Sequence, residues 1–226
     1  MGRDRLARTA GRIHDDEHVG TARAGRRSAR AVAQPRAEAP EIHVSGRAAV
    51  LAPGYGGTER QPILRKLATA LAECGIVSRA VTFSTRGSRP SPRYERELAD
   101  LRVAREALRA EGNERIALVG RSFGGRMCVF LARDETPDAL AILGHPIAPP
   151  GRPRPEDEAA LEAMGCPTLV VQGQHDELGP IAVLERIAGR NPRIDLVTIA
   201  DAGHEFGRHE TEAVAAAARW LDSVLR

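Results

Sequence analysis

A serine with glycine two residues to either side, Gly120-Arg121-Ser122-Phe123-Gly124-Gly125, follows the apolar run Ile116-Ala117-Leu118-Val119 and precedes the helical apolar pattern Met127, Val129, Phe130, Leu131. A hydroxyl is too weakly acidic to attack a carbonyl at neutral pH unless a base takes its proton and a carboxylate orients that base. A strand that runs through G-x-S-x-G into a helix is the setting in which serine becomes such a nucleophile, because side chains at the glycine positions of so tight a turn would meet neighbouring backbone. The helix that opens there aims N–H groups and the positive end of its dipole at developing negative charge. The plainer alternative is a glycine-rich connection whose serine caps a helix.

The partners of Ser122 are expected downstream, where strands end and open α/β sheets build their sites. After the apolar stretch 168–172 comes Gly173-Gln174-His175-Asp176, and Asp176 is the expected acid, with Glu177 as runner-up. After the stretch 194–200 comes Asp201-Ala202-Gly203-His204, and His204 is the expected base. The three residues lie 54 and 28 positions apart, room for the strands and helices between them. His209 is expected at the surface or in a cap, and His175 is kept only as a pocket residue. One oxyanion donor would be the Phe123 backbone N–H. The second would come from Leu51-Ala52-Pro53-Gly54-Tyr55-Gly56-Gly57, where Pro53 has no N–H to give and the Tyr55 backbone N–H is the candidate. Arg86, Arg89 and Arg93 cluster after the stretch 76–83, and Arg121 and Arg126 flank the serine. Arg86 and Arg121 are the candidates to hold a carboxylate or phosphate of the substrate; solvated surface arginine is the ordinary alternative.

These residues need a scaffold, and the pattern from position 47 onward supplies one. Short apolar runs at 48–52, 76–83, 115–119, 139–143, 168–172 and 194–200 alternate with helical patterns at 61–73, 93–111, 123–133, 156–164, 181–189 and 210–225. Such alternation predicts an α/β domain with a mostly parallel central sheet of about six strands, covered by helices on both faces. Residues 1–45 read instead as an Arg- and Ala-rich tail without useful periodicity, expected to be disordered, with the domain occupying 46–226.

Charge narrows the partners. The formal net charge of the 226 residues is +3, but positions 1–40 hold nine Arg against five Asp or Glu, so the remainder is near neutral and no nucleic-acid partner is expected. No apolar run is long enough to span a membrane, and no secretory signal stands at the start. The three cysteines, Cys74, Cys128 and Cys166, form no metal-ligand spacing and favour a reduced, cytoplasmic setting with inert thiols. A monomer or homodimer is expected.

The quoted segments resemble the α/β-hydrolase superfamily, and more narrowly its compact dienelactone-hydrolase-like members, the branch of predicted hydrolases that includes testis-expressed and chromatin-associated proteins. The narrower likeness rests on Gly120 to Arg126, on Gly144-His145-Pro146 with Pro149-Pro150-Gly151-Arg152-Pro153, on Val171 to Asp176, and on Asp201 to Phe206. It implies the α/β-hydrolase fold over about residues 47–225, a triad on Ser122, Asp176 and His204, and neither metal nor organic cofactor. Pro53-Gly54 stands where many members have His-Gly, and the usual first strands are reduced to 41–45 at most. Where larger members carry a helical lid, this chain has a Pro-rich segment and one short helix, which implies a minimal lid and an open pocket poorly suited to long acyl chains. The expected reaction is hydrolysis of a small-molecule ester or thioester through an acyl-enzyme. The competing expectation is a non-catalytic scaffold on the same fold.

Overall fold

The computed structural model describes residues 46–226; the expected tail and the possible strand at 41–45 lie outside them. Six strands, β1 (Arg47–Ala52), β2 (Val77–Ala80), β3 (Arg115–Arg121), β4 (Ala139–Leu143), β5 (Thr168–Gly173) and β6 (Ile194–Ile199), form one sheet in the order β2-β1-β3-β4-β5-β6. Every pair is parallel. Parallel neighbours need long crossovers, and these are α1 (Pro62–Glu73), α2 (Glu95–Ala110), α3 (Phe123–Asp134), α4 (Pro155–Glu162) and α5 (Ile181–Ala188), with α6 (Glu210–Val224) closing the chain.

Strand side chains alternate between two cores because successive residues point to opposite faces. Val50, Leu118, Ile142 and Val170 pack with α2 to α5 residues such as Leu101, Met127, Phe130 and Leu184. Leu51, Val119, Leu143 and Val171 pack on the other face with Leu64, Leu67, Leu71 of α1 and Val214, Leu221 of α6. Both faces are therefore sealed by apolar burial, which leaves the strand ends as the place for polar chemistry.

Beside the sheet edge, β2 and α2 both differ from the sequence expectation. The edge strand β2 stops at Ala80: Val81 N–H still reaches Leu51 O at 2.9 Å, but Thr82 turns away and its hydroxyl takes the Glu59 N–H at 3.0 Å. Helix α2 begins at Glu95 rather than 93, because Arg93 and Tyr94 have φ of 53° and 60°. That turn lays the Tyr94 ring parallel to Phe130, centroids 5.6 Å apart. Behind it, fully buried Glu97 accepts from Thr85 Oγ1 at 2.5 Å, Ser91 Oγ at 2.6 Å and Ser91 N at 3.1 Å. Burial works to raise its pKa, but the hydrogen bonds from Ser91 and Thr85 outweigh burial and hold the carboxyl below its ordinary value. Glu97 thus ties the loop 84–91 to α2.

Candidate active site

Ser122 sits between the end of β3 and the start of α3 with φ of 50° and ψ of −113°, a conformation that costs a non-glycine residue about 1–3 kcal/mol. Neighbours over-determine it. Ser122 N–H donates to Leu143 O at 3.0 Å, and Arg126 N–H returns to Ser122 O at 3.1 Å. A Cβ on Gly120 would stand 2.3 Å from Gly125 N, and one on Gly124 would stand 2.4 Å from Ala52 O. The two glycines let α3 press against β1 and β3 while the serine is turned out at the sheet's C-terminal edge.

Two other strands end at the same edge. The loop after β5 brings Asp176, whose side chain is fully buried, and the loop after β6 brings His204. Ser122 Oγ lies 2.8 Å from His204 Nε2, and His204 Nδ1 lies 2.8 Å from Asp176 Oδ2. The two loops are held together by His175 N–H, which donates to Ala202 O at 2.8 Å. Glu177 and the His175 side chain are exposed. His209 caps α6 by position, and its Nδ1 lies 3.5 Å from Glu212 Oε2.

Asp176 is fixed by two further donors: Gln172 Nε2 at 2.8 Å from Oδ2 and Leu178 N–H at 2.9 Å from Oδ1. Gln172 is itself fully buried; its Nε2 also reaches Gly179 O at 2.8 Å, and its Oε1 takes the His145 N–H at 2.7 Å. Sequence reasoning passed over this glutamine as the last residue of an apolar strand, although an amide in such a run always needs partners. His145, on the loop after β4, is fully buried, and neither ring nitrogen has a hydrogen-bond partner among the described residues. Burial pushes its pKa down to about 4, so the imidazole is neutral near pH 7.

Arg121 behaves differently from its expected substrate-binding part. It is 2% exposed and does not line the cavity that Ser122 lines. Its Nη2 donates to His204 O at 2.7 Å and pairs with Glu205 Oε1 at 2.9 Å, and its Nη1 lies 3.2 Å from His204 Nε2. The strand context explains this: β3 runs two residues beyond the expected end, so Arg121 points inward, over the buried Phe206 ring at 5.7 Å. Arg86 lines an adjoining cavity of about 380 Å³, while the cavity beside Ser122, about 410 Å³, is walled by Tyr55, Tyr94, Phe123, Arg126, Arg152 and Arg154. The Phe123 ring meets those of Tyr55, Phe83 and Tyr94 edge-on at 5.8, 5.6 and 6.1 Å. The N–H of Phe123, first residue of α3, and that of Tyr55 have no acceptor among the described residues, whereas Gly54 N–H is taken by Gln61 Oε1 at 2.9 Å. Two backbone donors without an acceptor among the described residues thus belong to residues that line the cavity beside Ser122.

Burial raises the thiol pKa values of Cys128 and Cys166. No group of three or more His, Cys, Asp or Glu that could hold a metal ion occurs among the described residues, and no helix there is long and apolar enough to cross a membrane.

Among solved structures, an alpha-beta serine hydrolase homologue from Coxiella burnetii superposes with a TM-score of 0.65 at 22% identity, covering 80% of this chain and 86% of that one. A serine hydrolase without a lid from Xanthomonas campestris gives 0.65 at 23% identity, covering 81% and 84%. The esterase domain of a Rhodothermus marinus protein gives 0.64 at 18% identity, covering 84% and 92%. Among curated proteins no sequence match was found. A family model described as an alpha/beta hydrolase domain matches residues 45–224, and with the parallel six-stranded sheet this places the chain in the α/β-hydrolase family.

Proposed function

We propose that the protein is a serine hydrolase that cleaves a small ester or thioester through an acyl-enzyme on Ser122. The observation that carries the reading is the unbroken chain Ser122 Oγ, His204, Asp176, with 2.8 Å at each step, built on a serine held at φ of 50°. His204 Nε2 takes the proton as Oγ attacks the carbonyl carbon. Asp176, accepting from Nδ1, fixes the tautomer and balances the imidazolium. The oxyanion is held by the N–H groups of Phe123 and Tyr55. Collapse expels the alcohol or thiol, protonated by His204, and water then attacks the acyl carbon by the same route in reverse roles. The setting of Ser122 fits this chemistry: it lines a cavity open to solvent, with Pro146, Arg152 and Arg154 in its wall. The narrower dienelactone-hydrolase-like kinship and a reducing compartment belong to this reading.

Short p-nitrophenyl esters test it. The wild type should release p-nitrophenol with saturation, and Ser122→Ala should fall to background with an unchanged melting temperature. Equal release by both proteins would point to the non-catalytic scaffold instead.

A further inference from the structure

Among the described residues, the charged side chains that line the cavity beside Ser122 and the one adjoining it are all arginines. Arg126, Arg152 and Arg154 line the cavity that holds Ser122, and Arg86 and Arg89 line the adjoining one, which shares Tyr55, Pro90 and Phe123 as a wall. Among the described residues no Asp or Glu lines either cavity, in a chain with 33 basic and 30 acidic residues. Abundance of arginine alone does not clear a surface of carboxylates.

The three arginines nearest Ser122 differ in what they already hold. Arg126 is committed: its guanidinium makes a two-pronged pair with buried Asp157, Nε to Oδ1 and Nη2 to Oδ2 at 3.1 Å, and lies 5.4 Å from the Tyr94 ring centroid. Arg154 is half-buried, and its partner is a neutral one, Pro146 O at 2.6 Å. Burial and then repulsion from Arg126 lower its pKa, against the pull of Asp157. The Arg152 side chain has no carboxylate partner among the described residues. Both stand in Pro149-Pro150-Gly151-Arg152-Pro153-Arg154-Pro155, where the prolines fix φ on either side and reduce the ordering that binding requires. Positive charge focused in a cleft with apolar walls raises the local concentration of anions, and the planar guanidinium fork matches an oxyanion in two-point contact.

From this juxtaposition we propose that the substrate is an ester carrying a second, anionic oxyacid group, a carboxylate or phosphate, which docks on Arg152 and Arg154 while its scissile carbonyl lies at Ser122. The proposal deepens the serine-hydrolase reading and rests on it. Arg126, neutralised by Asp157, forms the fixed wall rather than the anion contact.

The experiment compares the 4-nitrophenyl monoester of adipic acid with 4-nitrophenyl hexanoate, the neutral ester of equal acyl length, in the wild type, Arg152→Gln, and Arg152→Gln/Arg154→Gln, each checked by melting temperature. The wild type should favour the anionic ester by about tenfold or more in kcat/KM, mainly through KM, and the preference should shrink as salt rises. The ratio should fall severalfold in Arg152→Gln, which is exposed and safe for folding, and approach unity in the double variant. Competition by free adipate against inorganic phosphate tells which oxyanion the arginines prefer. A wild type that cleaves both esters equally, or variants that keep the preference, would overturn the anion site and leave the hydrolase reading standing. A wild type that cleaves neither would overturn both.

Discussion

Gln172 Nε2 and His204 Nδ1 converge on the same carboxylate oxygen, Oδ2 of Asp176, each at 2.8 Å. The second donor is what orients the acid: a carboxylate with one partner can swivel, and one gripped at Oδ2 by Gln172 and at Oδ1 by Leu178 N–H cannot. In the proposed triad Gln172 is accordingly a positioning residue. Gln172→Met, similar in volume but unable to donate, should lower kcat by about ten- to a hundredfold, the scale on which small misplacements act, with KM within about threefold. A change in melting temperature with kcat intact would reduce Gln172 to a structural part.

The two acids after β5 are separable by experiment. Asp176→Asn keeps the shape of the side chain but favours the wrong imidazole tautomer, so kcat should fall by about 10³ to 10⁴. Glu177→Gln alters an exposed charge and should cost less than about tenfold. Steady-state kinetics on a short p-nitrophenyl ester decides; an inactive Glu177→Gln beside an active Asp176→Asn would move the acid by one residue.

Much of this was legible because apolar runs set the strands and the strand ends set the site. The spacing around Ser122 located the turn, and the loops carrying Asp176 and His204 follow β5 and β6 as read. The parts that escaped depend on contacts between distant residues. Nothing local reveals that Arg126 pairs with Asp157, 31 positions on. Nothing local reveals that Tyr94 at positive φ shortens α2 in order to stack on Phe130. Arg121 is hard to read locally for a related reason: an arginine beside a nucleophile reads as a substrate contact, while the length of β3 to Arg121 places its guanidinium on His204 O.

Arg121 should therefore act through His204. With the guanidinium gone, His204 O loses its donor at 2.7 Å, while Leu143 O, 3.4 Å away, keeps the Ser122 N–H, and leaving a buried acceptor unpaired costs about 1–3 kcal/mol. Arg121→Met should lower thermal stability by that order and reduce kcat, whereas the ratio of activities on anionic and neutral esters should stay put. A collapse of that ratio with stability unchanged would return Arg121 to substrate binding.

His145 makes the fold sensitive to mild acid. Its folded pKa of about 4 lies below the ordinary value of 6.5, so the unfolded chain binds the proton first. The stability tied to the neutral imidazole is complete above pH 6.5 and is lost as pH falls toward about 4, at roughly 1.4 kcal/mol per unit. Chemical denaturation at several pH values should show this decline, and His145→Leu should flatten it. A parallel decline in the variant would assign the acid sensitivity elsewhere.

The central claim, that Ser122 becomes covalently acylated, is tested most directly by intact-protein mass after reaction with a fluorophosphonate, which forms a stable bond with an activated serine oxygen. One adduct per chain should form on the wild type and map to the peptide holding Ser122, while Ser122→Ala gains none and His204→Ala reacts far more slowly. Absence of an adduct on folded wild type, or an adduct that persists in Ser122→Ala, would contradict the account.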